Sequence, residues 1–335
     1  VTTRWVWLVL LCAGCALIYG LMSVPAIEPT SQIHGDMSPS VDERDRRENC
    51  RLLSIVTKDT TNPDILATIM KSFSRPSYPQ DSGWSIAAYS NYHHGGLLGI
   101  PGKPMILRSQ VPIIEDQASW QSASEIFIRL EPSIIVGHLR NASSGCSYIA
   151  DPHPFEMSYN GLTYLMTHNG GIWDKDLDYL KNNLITSETQ PQNCPDTPID
   201  SEYLFIYLMQ LIEDSRGDVW TALYNWAESL TRSLETDWNA LNIILTNGRV
   251  TWAVRISYKP DRFTLHYSDL PDNGGYAVST QALEPDWIPL QNYSIAEFSA
   301  GTPVYIETIP HPILNEYKHP SSLTFPHDLT SDDTD

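Results

Sequence analysis

Positive charge is scarce in this chain. Lys and Arg number 21 against 40 Asp and Glu in 335 residues, a formal net charge of −19 at pH 7. A broad electrostatic grip on nucleic acid or on an anionic membrane surface needs basic patches, so neither partner is expected. Phosphate-cradling glycine loops and Gly-x-Ser-x-Gly are absent, which argues against a nucleotide-binding P-loop and against a serine nucleophile elbow. His93-His94, His153 and His168 lack the paired spacing of metal ligands, so no metal and no cofactor is expected. There is no internal repeat. Cysteine is sparse too, with five in all.

Long hydrophobic runs are equally rare, and the chain has one that matters. Trp5 to Met22 is uninterruptedly apolar, preceded by Arg4 and followed by an acidic, proline-bearing stretch. It is long for the ~7–15-residue core of a signal peptide and borderline for a span, which needs ~18 or more. The basic flank before it and the acidic flank after it favour export of the body. Residues 1–23 are therefore expected to be a signal peptide or membrane anchor, and the protein to be extracytoplasmic, with or without a tether. Residues 24–49 read as a linker or pro-segment. They carry Pro25, Pro29 and Pro39 and the mixed charge run Asp42 to Glu48, which is solvated and open to proteases.

Beyond the apolar run lie Cys50, Cys146 and Cys194. An odd number in an exported chain suggests one bridge and one free thiol. The expected arrangement is a Cys146–Cys194 disulfide with Cys50 reduced. Cys50 itself has two readings. It is either a buried, inert cysteine at the start of a strand, or a nucleophile activated by its own α-amino group once Asn49–Cys50 is cut.

The globular pattern starts at Cys50. Short β-like runs are expected at Trp84–Tyr89, Ser133–Leu139, Leu162–Thr167, Ala240–Thr246, Arg249–Ile256, Phe263–Tyr267 and Tyr276–Thr280. Asn247-Gly248 between two of them is a strong hairpin signal. Helical spacing covers Asp200–Glu213, with Asp200 or Ser201 as cap, and Val219–Leu234. Antiparallel strands with grouped helices imply a layered α+β domain. After Pro310 the chain turns polar, and residues 311–335 read as a disordered acidic tail.

Several segments are hard to explain as structure alone. They are Cys50-Arg51-Leu52-Leu53, Gly83-Trp84-Ser85-Ile86-Ala87, Gly137-His138-Leu139-Arg140-Asn141-Ala142-Ser143, His153-Pro154-Phe155, His168-Asn169-Gly170 and Asp200-Ser201-Glu202. In this order they resemble the class II (N-terminal nucleophile) glutamine amidotransferases, in particular the stand-alone, hydrolase-like branch. The similarity extends through Leu241–Leu245, Ala253-Val254-Arg255, Ser279 and Trp287-Ile288-Pro289, and so covers about residues 50–310.

The resemblance implies a four-layer αββα N-terminal-nucleophile (Ntn) hydrolase sandwich without a cofactor. It implies Cys50 as nucleophile, with Asn169 and the Gly170 N–H receiving the oxyanion. Arg140 is expected to grip the substrate's α-carboxylate, Asp200 its α-ammonium, and His168 to lie in the substrate site. The implied reaction is hydrolysis of the side-chain amide of glutamine, or of a γ-glutamyl amide or peptide, through a Cys50 thioester. Two alternatives stand beside it: a membrane-anchored binding protein that kept the fold without the chemistry, and an Ntn amidase for a non-glutamyl substrate. The sequence departs from the family pattern at Ser85, where glycine is usual, and at Asp151-Pro152, where Asn-Thr is usual. Both departures are expected to bear on substrate fit.

Overall fold

The computed structural model describes residues 50–58, 62–75, 80–90, 102–130, 132–142, 145, 149–194, 197–270 and 274–309. The expected leader, linker and acidic tail lie outside these residues, as do Cys146 and His93-His94. Among the described residues no helix is long and apolar enough to cross a membrane.

Two antiparallel sheets make the inner layers. The first comprises β1 (Arg51–Val56), β2 (Trp84–Ser90), β3 (Pro104–Ser109), β4 (Pro132–Leu139), β9 (His266–Leu270), β10 (Gly275–Ser279) and β11 (Ile288–Pro289), in the order β11-β9-β10-β1-β4-β2-β3. The second comprises β5 (Phe155–Tyr159), β6 (Leu162–Ile172), β7 (Trp238–Thr246), β8 (Val250–Arg255), β12 (Ser294–Ser299) and β13 (Tyr305–Thr308), in the order β13-β12-β8-β7-β6-β5.

Strand alternation assigns each side chain to a layer. On β1, Leu52 and Val56 join Ala87, Tyr89, Val136, Leu165, Ile244 and Phe298 in a core between the sheets. Leu53 and Ile55 point the other way. They pack under α1 (Pro63–Phe73) and α2 (Gln117–Arg129), together with Phe73, Trp120 and Phe127. The second sheet is covered on its outer face by α4 (Asp200–Asp214) and α5 (Val219–Ser233), with Phe205, Leu208, Leu223 and Trp226 against Met166, Leu241 and Ile243. A short α3 (Asp174–Tyr179) runs on into a π turn at Leu180–Leu184. The result is the expected αββα sandwich. Because β1 is buried on both faces, its apolar residues Leu52, Leu53, Ile55 and Val56 fall on both sides of the strand and show no alternation.

Local chemistry explains the ends of several elements. Asn62 accepts a hydrogen bond from the Asp64 N–H at 3.0 Å and Pro63 sits at the first turn, which together start α1. The Arg51 guanidinium donates to the Phe73 and Arg75 carbonyls at its other end, where a cation suits the orphan carbonyls. The Asn247-Gly248 hairpin forms as expected. Gly248 adopts φ +83°, and Asn247 Oδ1 accepts from the Arg249 and Val250 N–H groups.

Four expectations need correction. Helices α1 and α2 were not anticipated. Strand β9 is His266–Leu270 rather than Phe263–Tyr267, and Phe263 and Leu265 are buried outside it. Asp200 and Ser201 do not cap α4: Ile199 precedes the helix, and the Asp200 carboxylate accepts the Ile172 N–H at 2.9 Å instead. The strand expected to end at Thr167 runs on, because His168 to Gly171 continue β6 and pair with Ala240 to Ile243 of β7.

Candidate active site

Cys50 stands immediately before β1, half-buried, and its thiol is free. Its Sγ accepts the Asn141 N–H at 3.4 Å and lies 3.6 Å from the Asn141 carbonyl. Counting back from Leu52, strand alternation puts Cys50 on the face between the sheets. Leu52 is paired with His138, and Ser85 is paired with His138 on the other side. Cys50, Ser85, His138 and Arg140 therefore share one inner face. Across the gap, alternation from Leu165 puts Thr167 and Asn169 on the inner face of β6, and Asn242, paired with Asn169, beside them on β7.

These facing positions hold most of the buried polar atoms without a hydrogen-bond partner among the described residues: Ser85 Oγ, His138 Nε2, Thr167 Oγ1, Asn169 Oδ1 and Asn242 Nδ2, with His153 Nε2 next to them. Native interiors pair nearly all such atoms. A concentration of orphans on two facing sheets beside a free thiol marks a site built for a polar ligand.

Three residues form a compact cluster there. His138 Nδ1 is 2.5 Å from Asp151 Oδ2, and His153 Nδ1 is 3.3 Å from Asp151 Oδ1. The two rings stack with centroids 4.0 Å apart. Asp151 is fully buried and also accepts the His153 N–H at 3.1 Å. Burial opposes the His138 imidazolium, but the Asp151 carboxylate, and after it the Cys50 thiol, push it up to about 10. Burial and the charge on His138 take His153 down to about 3. Burial would raise Asp151, yet the His138 charge holds it far below the usual carboxylate range.

The stacked pair thus holds one proton over a wide range. In the unfolded chain each imidazole titrates near ~6.5. Below that value the unfolded chain binds more protons at this pair than the fold does, so stability rises as pH climbs from about 3. Above it the fold binds more, so stability falls as pH rises toward about 10. His168, lowered by burial, acts in the same sense as His153. The melting temperature followed from acid to alkaline pH should peak near ~6.5, and a flat profile through neutrality would contradict this distribution of protons.

His138, Asp151 and His153 also bring one ligand-type atom each within 4.8 Å of one another. A metal does not fit well between them. Ligand atoms at ~2.0–2.2 Å from one ion lie about 3 Å apart, whereas His138 Nδ1 and Asp151 Oδ2 are at hydrogen-bond distance, 2.5 Å. Sequence spacing missed this cluster because His138 and Asp151 lie 13 residues apart and meet only across the loop that leaves β4.

The remaining expected residues sit as follows. Arg140 is buried, with its N–H on the Gly83 carbonyl at 2.9 Å. Its guanidinium and Ile199 both border Gly145, where an added Cβ would lie 3.2 Å from Arg140 Nη2 and 2.6 Å from Ile199 Cγ1. Arg140 is thus brought to the start of α4, where Asp200 is. Asn169 is buried at the inner face. Gly170 adopts φ +147°, and a Cβ there would lie 2.0 Å from the Ala240 carbonyl oxygen, so no other residue fits. His168 points to the outer side: Nδ1 accepts from the Ser201 hydroxyl at 2.9 Å and Nε2–H donates to the Ala240 carbonyl at 3.2 Å. With both nitrogens engaged inside the protein, His168 ties β6 to β7 and α4. Glu202 does similar work, accepting N–H groups from Gln192 and Asn193. Next to them Cys194 is disulfide-bonded; Cys146, its expected partner, lies outside the described residues.

A free cysteine at the head of an inner strand of an αββα sandwich, facing an Asn-Gly on the opposite sheet, defines the Ntn-hydrolase class of fold. Within that class the chain belongs to the class-II glutamine amidotransferases, whose family model matches residues 49–267. It is 22% identical over 282 residues to an uncharacterized protein of Methanocaldococcus jannaschii, covering 76% of this chain and 71% of the other. Among solved structures it is similar to an allosteric regulatory enzyme of purine biosynthesis, with TM-score 0.53 and 15% identity over 78% of this chain. The chain spans about half of that enzyme, 49% of its length. A glutamine aminotransferase class-II domain protein from Silicibacter pomeroyi matches with TM-score 0.47 and 14% identity, over 78% of this chain and 99% of the other.

Proposed function

We propose that the protein hydrolyses the side-chain amide of glutamine, or of a γ-glutamyl amide or peptide, through a thioester on Cys50. The observation that carries this reading is the set of orphaned polar atoms on the two inner faces beside the Cys50 thiol. Sulfur attacks the amide carbon, and the developing oxyanion is received by the Asn169 amide and the Gly170 N–H. Ammonia or an amine leaves, and water then releases glutamate from the thioester. Arg140 and Asp200, of opposite charge, suit the two charged ends of an α-amino acid. A planar guanidinium binds both oxygens of a carboxylate.

In this reading Asn49–Cys50 is cut, and the released α-amine, with an ordinary value of ~7.7–8.0, accepts the thiol proton. Export remains part of the proposal, and a disulfide at Cys194 suits an oxidising compartment.

Ammonia release from glutamine and from γ-glutamyl peptides, measured with wild type and Arg140→Ala, tests the substrate assignment. Losing a charge-assisted contact made equally in ground and transition states should raise KM roughly 10- to 100-fold with kcat little changed. An unchanged KM for every γ-glutamyl compound would point to the non-glutamyl amidase instead.

A further inference from the structure

We infer that Asn242 is a positioning residue for the oxyanion site: its Nδ2–H donates to Asn169 Oδ1 as the oxyanion forms, and so aims the Asn169 Nδ2 at the charge. This deepens the proposed function and rests on its assignment of Asn169 and Gly170 to the oxyanion.

The register brings the two side chains together. Asn169 on β6 pairs directly with Asn242 on β7, so they share one face of the sheet with Cβ atoms ~4.5–5.5 Å apart. That face looks toward the first sheet, because Leu165 and Ile244, further along the same faces of these strands, lie in the core between the sheets. Both asparagines are buried. Neither side chain has solvent to satisfy what the protein leaves unpaired.

Hydrogen-bond chemistry fixes which end of Asn242 is available. The Ile256 N–H donates to its side chain at 3.0 Å. A backbone N–H only donates, so the accepting atom is Oδ1 and the group left over is the donor Nδ2. Among the described residues nothing accepts from that Nδ2, and nothing donates to Asn169 Oδ1. A buried donor and a buried acceptor, both orphaned, therefore stand on directly opposed residues. Interiors seldom keep either kind of orphan without a use for it.

Backbone direction supplies the orientation. The Leu241 N–H donates to the Ile256 carbonyl at 2.8 Å, so the backbone groups of Leu241 face β8. In an antiparallel ladder the residue opposite then turns its own groups the other way. Gly170 is that residue, and its N–H points to the side of β6 away from β7. An oxyanion held by the Gly170 N–H lies on that side too. An Asn169 amide donating there turns its nitrogen away from β7 and its oxygen toward β7, where Asn242 Nδ2 stands. The flipped amide would set two N–H donors against each other, which Asn242 disfavours. Because the contact matters only while negative charge develops, its loss falls on kcat rather than on KM.

The experiment measures ammonia release from glutamine by wild type, Asn242→Asp, Asn169→Ala and the double variant, with kcat and KM separated and a melting curve for each. Aspartate keeps an oxygen for the Ile256 N–H and puts a second acceptor where the Nδ2 donor was, against Asn169 Oδ1. The expected result for Asn242→Asp is a kcat lower on the order of 10- to 100-fold with KM little changed. Added to Asn169→Ala, the same change should cost nothing further, since residues that act through one another do not add. A second measurement needs no variant to fold. In a crystal structure of wild type alkylated at Cys50 by a diazo-ketone analogue of glutamine, Asn242 Nδ2 should lie about 2.9 Å from Asn169 Oδ1. A separation beyond ~3.5 Å there would overturn the inference. So would wild-type kcat in folded Asn242→Asp, or an equal fall with and without Asn169. If Asn169→Ala itself keeps wild-type kcat, the oxyanion assignment of the proposed function fails, and the role of Asn242 falls with it.

Discussion

Cys50→Ala should remove ammonia release while leaving the protein folded. No other cysteine thiol among the described residues is free, since Cys194 is bridged. Removing a covalent nucleophile typically costs on the order of 10⁴-fold or more in kcat. The structural cost is small. Cys50 is half-buried, and its sulfur meets the Asn141 N–H and carbonyl and interacts with His138, so the change removes weak polar contacts and little core volume. The measurement is coupled detection of ammonia with a melting curve beside it. Hydrolysis within tenfold of wild type in a folded Cys50→Ala protein would end the thioester mechanism, and the binding-protein alternative predicts no hydrolysis in either chain.

Asn169→Ala is the second large effect. The side chain is buried on the inner face, and its Oδ1 has no partner. Truncating a side chain whose acceptor is already unpaired leaves little behind to destabilise the fold. An oxyanion donor, by contrast, acts only as negative charge develops, and losing one costs roughly 10²–10³-fold in kcat. The combination is diagnostic: kcat falls by that factor, KM and melting temperature move little, and labelling of Cys50 persists. A structural asparagine would give the reverse, a lower melting temperature with kcat nearly intact. Gly170 next to it tolerates no such probe, because a Cβ would collide with the Ala240 carbonyl.

The two alternatives separate on these same variants. A non-glutamyl amidase keeps its dependence on Cys50 and Asn169 but loses little with Arg140→Ala. A scaffold that kept the fold is insensitive to all three.

How much of this was legible beforehand varies by element. Strands β4, β6 and β7 and helices α4 and α5 announced themselves through apolar runs or helical spacing, because each buries a continuous face. Helix α1 was missed although Asn62 and Pro63 mark its start. Helix α2 has a weaker stripe, with Ser124 buried among Trp120, Ala123 and Phe127. The expected strand stopped at Thr167 because the Asn-Gly-Gly that follows favours turns; pairing with β7 overrode that local preference and extended β6. The same pairing sends His168 outward and Asn169 inward, so two neighbours expected in one site have opposite duties.

The order of short motifs pointed to Cys50, Arg140, Asn169, Gly170 and Asp200 only through the family they resemble, whereas the layered architecture was also foreshadowed by apolar runs and helical spacing, which are local properties. Only the tertiary structure joined His138 to Asp151 and stacked His153 on it. That contact depends on a carboxylate returning across a loop into a space sealed from water, where an unpaired charge would be too costly to keep. Burial sets both the strength and the proton count of that cluster, and burial belongs to the assembled sandwich rather than to any single segment.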